Sequence, residues 1–202
     1  MENKVIFKED THEYFLNGKR LVGVSEVLQK SGLVDLSAIR PDVLEAARKF
    51  GTATHKATEL WDKGTLDVSI LSLPLVPRLE AWKNFRKDYK IGEFSCIEKL
   101  VYSAKWGYAG TLDRICEISG KLTLLDIKSG EYIDPSMEIQ LAAYQIAFEE
   151  LTGLRIKQRW IIQLSDNQYK IYPCKEIIEL SKTVFLAALT LVKWRTNHGK
   201  CN

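Results

Sequence analysis

No C-x-x-C pair occurs among the four cysteines of this chain, Cys96, Cys116, Cys174 and Cys201. That argues against a zinc or iron–sulfur centre. A chain of 202 residues has the length for a full hydrophobic core, so it has no need of disulfides and free thiols are expected. Long apolar runs are missing too. Val184 to Val192, interrupted by Thr190, is far short of the roughly 20 apolar residues a bilayer span requires. No apolar core follows Met1-Glu2-Asn3-Lys4, so no secretory signal is expected and the cytoplasm is the expected compartment. A strong charge of one sign is also absent. The net charge of +3 does not by itself declare a polyanionic partner, and any basic surface has to be local. There is no repeat, no low-complexity segment and no P-loop.

What is present is an ordinary globular composition, 46% hydrophobic and 27% charged, most economically read as one domain over residues 1–202. The N-terminal part, about 4–24, reads as β. Val5-Ile6-Phe7, Tyr14-Phe15-Leu16 and Lys19-Arg20-Leu21-Val22 are strand-like, and Asn17-Gly18 is a tight hairpin signal. Ser25 suits the N-cap of a short helix through Leu28. Pro41 opens a helix whose apolar positions run from Val43 to Ala57, ending near Trp61, with Gly51 loosening its middle. A Pro-rich loop around residues 73–77 leads to a helix from about Arg78 to Tyr89. Strands are expected at Ile97–Tyr102, Thr111–Ile118 and Leu122–Lys128. Asp134-Pro135 opens a helix ending near Gly153. Strands Arg159–Leu164 and Tyr169–Tyr172 follow. A last helix, about Lys175 to Arg195, carries Ile177, Leu180, Val184, Ala188 and Leu191 on one face. The core, about 41–172, has the order αβββαβ with an inserted helix. That order predicts an α/β fold with a mixed sheet covered by helices on both faces.

Polar residues cluster at the strand ends of this plan. Asp126-Ile127-Lys128 ends the third core strand, and alternation puts Asp126 and Lys128 on one face. Ser119-Gly120 makes the second and third strands a hairpin, which brings Asp113 beside Asp126. Paired carboxylates repel unless a cation lies between them, and hard oxygen ligands suit Mg²⁺ or Mn²⁺. Glu98 lies in the first core strand. His55 and Glu59 share a helix face at i, i+4, as do Gln140 and Tyr144.

Gly110-Thr111-Leu112-Asp113, Asp126-Ile127-Lys128 and Gln140-Leu141-Ala142-Ala143-Tyr144 together resemble the PD-(D/E)XK nuclease superfamily, and within it the RecB-like exonuclease branch. Gly51-Thr-Ala-Thr-His55 resembles that branch's histidine motif. The resemblance spans about residues 51–144, and the small size and N-terminal hairpin are similar to phage-encoded members. It implies a restriction-endonuclease-like core and metal-dependent hydrolysis of DNA phosphodiesters in recombination, repair or replication. Asp113 and Asp126 would be acidic metal ligands, joined by His55 and the Ile127 carbonyl. Lys128 would hold or help deprotonate the attacking water. Glu98 would bind a second metal or orient Lys128, and Gln140 and Tyr144 would position the substrate or brace the site. The implied cofactor is Mg²⁺ or Mn²⁺. The cysteine arrangement of the branch members with an iron–sulfur cluster is lacking, so no cluster is expected. The implied partners are DNA with single- or double-stranded ends and a single-strand annealing or replication protein, in a bacterial or phage-infected cell.

Two local basic candidates accompany this site. One is Lys83, Arg86, Lys87 and Lys90, beside the aromatic stripe Trp82, Phe85 and Tyr89. The other is Lys105 with Trp106 and Tyr108, where an aromatic ring would stack on an unpaired base. The bland alternatives stand beside each reading. An isolated Asp-x-Lys is most often a surface ion pair, a lysine-rich helix face is most often only solvated, and Glu59 reads better as a solvated or supporting residue than as a ligand. A nuclease fold that binds without cutting and a structure-specific endonuclease remain the competing functions. His12 and His198 have no partner pattern.

Overall fold

The computed structural model describes residues 5–8, 10–174 and 178–199. Its strands are β1 (Val5–Lys8), β2 (Glu13–Leu16), β3 (Lys19–Gly23), β4 (Cys96–Ser103), β5 (Tyr108–Ile118), β6 (Lys121–Lys128), β7 (Gln158–Leu164) and β8 (Tyr169–Pro173). Its α-helices are α1 (Val24–Ser31), α2 (Pro41–Asp62), α3 (Val76–Asp88), α4 (Ser136–Thr152) and α5 (Ile178–His198). The strands form one eight-stranded mixed sheet in the order β1-β2-β3-β5-β6-β7-β8, with β4 paired to β5 off that path. This is the expected α/β architecture.

The pairing around β5 opens a notch in the sheet. One edge of β5 is taken by β4, antiparallel, from Ser103 opposite Tyr108 to Cys96 opposite Ile115. The other edge is shared. β3 runs parallel to its start, ending with Gly23 opposite Ala109. β6 runs antiparallel to its far part, with Leu125 opposite Arg114 as the last pair. Gly110–Asp113 therefore have no strand partner on that edge among the described residues. The C-terminal ends of β3 and β6 converge on this notch from opposite directions.

The two faces of the sheet carry separate cores. Val27 and Leu28 of α1, Leu141, Ala147 and Phe148 of α4, and Phe185 and Leu189 of α5 pack against Leu112, Ile115 and Leu124. Trp82 and Phe85 of α3 pack on the other face against Cys116, Leu125, Ile127 and Ile162. Burial of a large side chain contributes about 1.5–3 kcal/mol, so both layers hold the sheet that carries the polar strand ends. No helix among the described residues is long and apolar enough to cross a membrane. Cys96, Cys116 and Cys174 are free thiols, and Cys201 lies outside the described residues.

The local chemistry explains most element ends. Asn17 and Gly18 both have positive φ, +50° and +81°, as a two-residue hairpin turn demands. Asp134 accepts the Ser136 N–H at 2.8 Å, and Gly153 at φ +72° ends α4. Three expectations are corrected. Ser25 does not cap α1. Gly23 occupies that position, Glu26 reaches back to its N–H at 3.4 Å, and the helix continues to Ser31. α2 runs unbroken through Gly51, because i+4 packing of Thr54, Ala57 and Thr58 outweighs one glycine. The buried stripe of α5 is Ser181, Phe185, Ala188, Leu189 and Val192, leaving Leu180 and Leu191 exposed. That segment is apolar nearly all round, so periodicity does not select its inner face. The expected start of this helix at Lys175, with Ile177, lies outside the described residues.

Candidate metal centre and active site

The notch in the β5 edge is where the polar residues meet. One step beyond the pair Arg114–Leu125, the register would set Asp113 opposite Asp126. The ladder stops there. The Asp113 carboxylate instead accepts the backbone N–H of Ile127 through Oδ2 at 2.6 Å. A side chain thus replaces the backbone acceptor that the diverging strand removed, and Oδ1 is left to face the cleft.

His55 and Glu98 approach that free oxygen. His55 Nδ1 lies 3.6 Å from Asp113 Oδ1 and 3.5 Å from Glu98 Oε1. One ligand atom from each of the three residues lies within 4.8 Å of the others. Burial lowers the His55 pKa, but the carboxylates of Asp113 and Glu98 override it and push the imidazole up to about 9. His55 reaches the site from α2, whose Thr58 hydroxyl donates to the His55 carbonyl at 2.9 Å.

Sequence reasoning missed what holds Glu98. Arg114 follows Asp113 and is fully buried. Its Nη1 donates to Glu98 Oε1 and to the Asp113 carbonyl, both at 2.8 Å, its Nε to Asp62 Oδ2 at 2.8 Å, and its Nη2 to the Thr58 hydroxyl at 3.2 Å. Asp62, at the end of α2 with its side chain buried, also accepts from Arg86 at 2.7 Å and Trp82 at 2.9 Å. Glu98 has φ +45° within a strand, a left-handed conformation that costs about 1–3 kcal/mol. The Arg114 guanidinium fixes it there, so Glu98 faces the cluster rather than orienting Lys128 directly. The available signal was an arginine in a strand otherwise reading as core.

Asp126 and Lys128 occupy the other side of the notch, together as alternation requires. Lys128 Nζ is 2.7 Å from Asp126 Oδ2. This charge-assisted contact satisfies the buried carboxylate oxygen. Burial pushes the Asp126 pKa up, against the pull of Lys128 and with the repulsion of Asp113. Burial lowers that of Lys128, but Asp126 and Asp113 carry it above its ordinary value, so the ammonium is retained. Behind it, Lys128 donates to Gln140 Oε1 at 3.3 Å and Gln140 Nε2 to Tyr144 OH at 3.0 Å. Tyr144 is buried, and burial among carboxylates keeps its hydroxyl protonated. A Cβ on Gly110 would lie 2.6 Å from Tyr144 Cε1. The first glycine of the Gly-Thr-Leu-Asp run is therefore required by the tyrosine of α4.

The donor set fits a divalent cation. Two carboxylates and one imidazole offer ligand atoms within 4.8 Å of one another, and Asp126 lines the same cavity as His55 and Asp113. Oxygen ligands favour Mg²⁺ and Mn²⁺, and the nitrogen shifts the preference toward Mn²⁺.

Other expected residues lie elsewhere. Tyr108 is fully buried, packs on Phe185 with ring centroids 4.8 Å apart, and donates to the Ala143 carbonyl at 2.7 Å. It is a core residue and cannot stack on a base, a correction that follows from β5 beginning earlier than expected. Lys105 and Trp106 sit in the β4–β5 turn. The start of β5 at Tyr108 is roughly 17 Å along the strand from Asp113, at about 3.4 Å per residue, and the turn lies beyond that start. The turn is tied to Glu150, at the far end of α4 from Gln140. Glu59 is ion-paired to Lys56 and Lys63. On α3, Trp82 and Phe85 are core and Arg86 turns inward to Asp62. Lys83 lies over the Trp61 ring at 4.0 Å, and a shallow basic hollow there also takes in Lys87 and Lys90.

No family model and no curated protein matches this sequence. Solved structures do. A crystal structure from Eubacterium rectale, named "Putative exonuclease", aligns over 90% of this chain and 83% of its own, with a TM-score of 0.53 and 11% identity. The two share a fold. The crystal structure of SSO0001 aligns over 89% of this chain and 77% of its own, with a TM-score of 0.42 and 12% identity.

Proposed function

We propose that this protein is a metal-dependent deoxyribonuclease of the PD-(D/E)XK superfamily, RecB-like branch, acting as an exonuclease in DNA recombination, repair or replication. One observation carries the reading. The fork of β3 and β6 on β5 gathers His55, Glu98 and Asp113 within 4.8 Å and sets Lys128 and Asp126 across the same cavity. The fold shared with the Eubacterium rectale protein, named "Putative exonuclease", agrees with it.

In this reading Asp113, Asp126, His55 and the Ile127 carbonyl would hold Mg²⁺ or Mn²⁺, with Glu98 as a further ligand beside His55 and Asp113. The cation, when bound, would supply Lewis acidity toward the scissile phosphate and lower the pKa of a water. Lys128 is a fixed ammonium that orients that water and offsets charge on the phosphate as it builds. Gln140 sets the Lys128 Nζ position, and Tyr144 sets Gln140. Asp113 is itself fixed by the Ile127 N–H, so the ligand and the Asp-x-Lys strand move as one unit.

The test mixes purified protein with end-labelled single- and double-stranded DNA in Mg²⁺, Mn²⁺ or EDTA. Degradation should require metal and vanish in Asp126→Ala and Lys128→Ala. Degradation that survives either substitution overturns the assignment. Cleavage of a closed circle would make it an endonuclease instead.

A further inference from the structure

We propose that the N-terminal hairpin is the outer wall of the nucleic-acid cleft, and that His12 contacts the phosphate backbone of the strand lying in it. This rests on the nuclease reading and adds a substrate-binding residue to it.

The hairpin is outside the αβββαβ core, yet it completes the notch. β3 and β6 share one edge of β5, and the unpaired stretch Gly110–Asp113 lies between them. A cavity of about 280 Å³ occupies that gap. His12, Tyr14 and Thr111 line it together with His55, Asp113 and Lys128. Tyr14 is buried, and its hydroxyl meets the Thr111 hydroxyl at 3.4 Å across the gap. The wall is thus attached to the same strand that carries Asp113.

His12 is held in place by rings rather than by hydrogen bonds. It has φ +52°, and its ring meets Phe7 edge-on at 5.0 Å and Tyr14 at 5.9 Å. Phe7 and Tyr14 stack at 4.8 Å beneath it. No hydrogen bond of its imidazole occurs among the described residues. Either neutral tautomer keeps one ring N–H donor, which suits a phosphate oxygen. Glu26 on the same wall is ion-paired to both Arg20 and Lys30, at 3.0 and 2.6 Å, so it does not repel a polyanion.

The test uses His12→Ala and His12→Asn in the full chain. Binding of a fluorescent oligothymidylate is read by anisotropy in Ca²⁺, and turnover by kcat and KM in Mn²⁺. His12→Ala should raise both Kd and KM about 10-fold, the loss of one hydrogen bond to a charged group, with kcat within about twofold. Asparagine keeps an N–H donor and tolerates positive φ, so His12→Asn should recover most of the loss. Unchanged Kd and KM in His12→Ala, or no recovery in His12→Asn, would each overturn the proposal. His12-dependent binding with no cleavage in any metal would retain it and remove the nuclease reading. Metal-dependent cleavage indifferent to His12 would do the reverse.

Discussion

Asp113 Oδ2 accepts the backbone N–H of Ile127 at 2.6 Å, although the two residues stand on strands that have already stopped pairing. The bond has two consequences. It satisfies a buried N–H that the fork would otherwise orphan, and it locks the carboxylate so that only Oδ1 is offered to a cation. Two substitutions separate these roles. Asp113→Asn keeps an acceptor for Ile127 and loses the charge, so it should fold with near-native stability and fail to bind Mn²⁺. Asp113→Ala should fail in both, with a loss of about 1–3 kcal/mol from the unpaired N–H. Calorimetric Mn²⁺ titration and urea denaturation of the two variants check this, and equal stabilities would refute it.

Arg114 is the buried hub that joins Asp62 to Glu98. Removing one partner of a buried pair leaves the others uncompensated, at about 3–5 kcal/mol. Arg114→Met should therefore lower the denaturation midpoint strongly. It should also release Glu98 from its left-handed conformation and weaken Mn²⁺ binding in whatever fraction still folds. A variant as stable as the parent would show that the network does not carry the fold.

Gly110→Ala tests the contact between the two motifs. The new methyl would meet Tyr144 Cε1 at 2.6 Å and Val24 Cγ2 at 3.1 Å. Forcing it in should cost about 1–3 kcal/mol and shift Tyr144, hence Gln140 and Lys128. Activity should fall more than Mn²⁺ affinity, since His55, Glu98 and Asp113 are not touched and only Asp126 among the proposed ligands is paired with Lys128. Gly110→Ala combined with Tyr144→Leu should regain stability without regaining activity. Denaturation and turnover of both variants decide it.

The raised pKa of His55 fixes a sign for pH dependence. In metal-free protein its pKa is about 9, above the roughly 6.5 of an unfolded imidazole. Its contribution to stability is therefore fully present below about pH 6.5 and is lost as pH rises through about 9. In EDTA, the stability difference between the parent and His55→Asn should shrink over that window. A cation must displace this proton, so Mn²⁺ affinity should rise with pH across the same range and binding should release protons. A difference that grows with pH would contradict the assignment.

The chemistry-bearing residues were legible because strand alternation and hairpin reversal are local rules. Asp126 and Lys128 share a face by period two, and Ser119-Gly120 folds Asp113 back toward them. Gln140 and Tyr144 fall together by helical spacing. Glu98 was half-legible. Its strand was clear, but its partner Arg114 and the left-handed backbone that aims it are set by Asp62, far away in sequence. Tyr108 misled because a few residues of strand extension turn an apparent loop aromatic into a core one.

The sequence by itself determined the order of elements, the turn at Asn17-Gly18 and the approach of Asp113 to the Asp126 strand, since each rests on near-neighbour sterics and periodicity. Only the tertiary structure decided that β3 and β6 meet on one edge of β5 and leave Gly110–Asp113 open. That choice is a competition between distant strands for the same backbone groups, and no local pattern encodes its outcome. It turns a row of motif residues into a cavity and makes the N-terminal hairpin one of its walls.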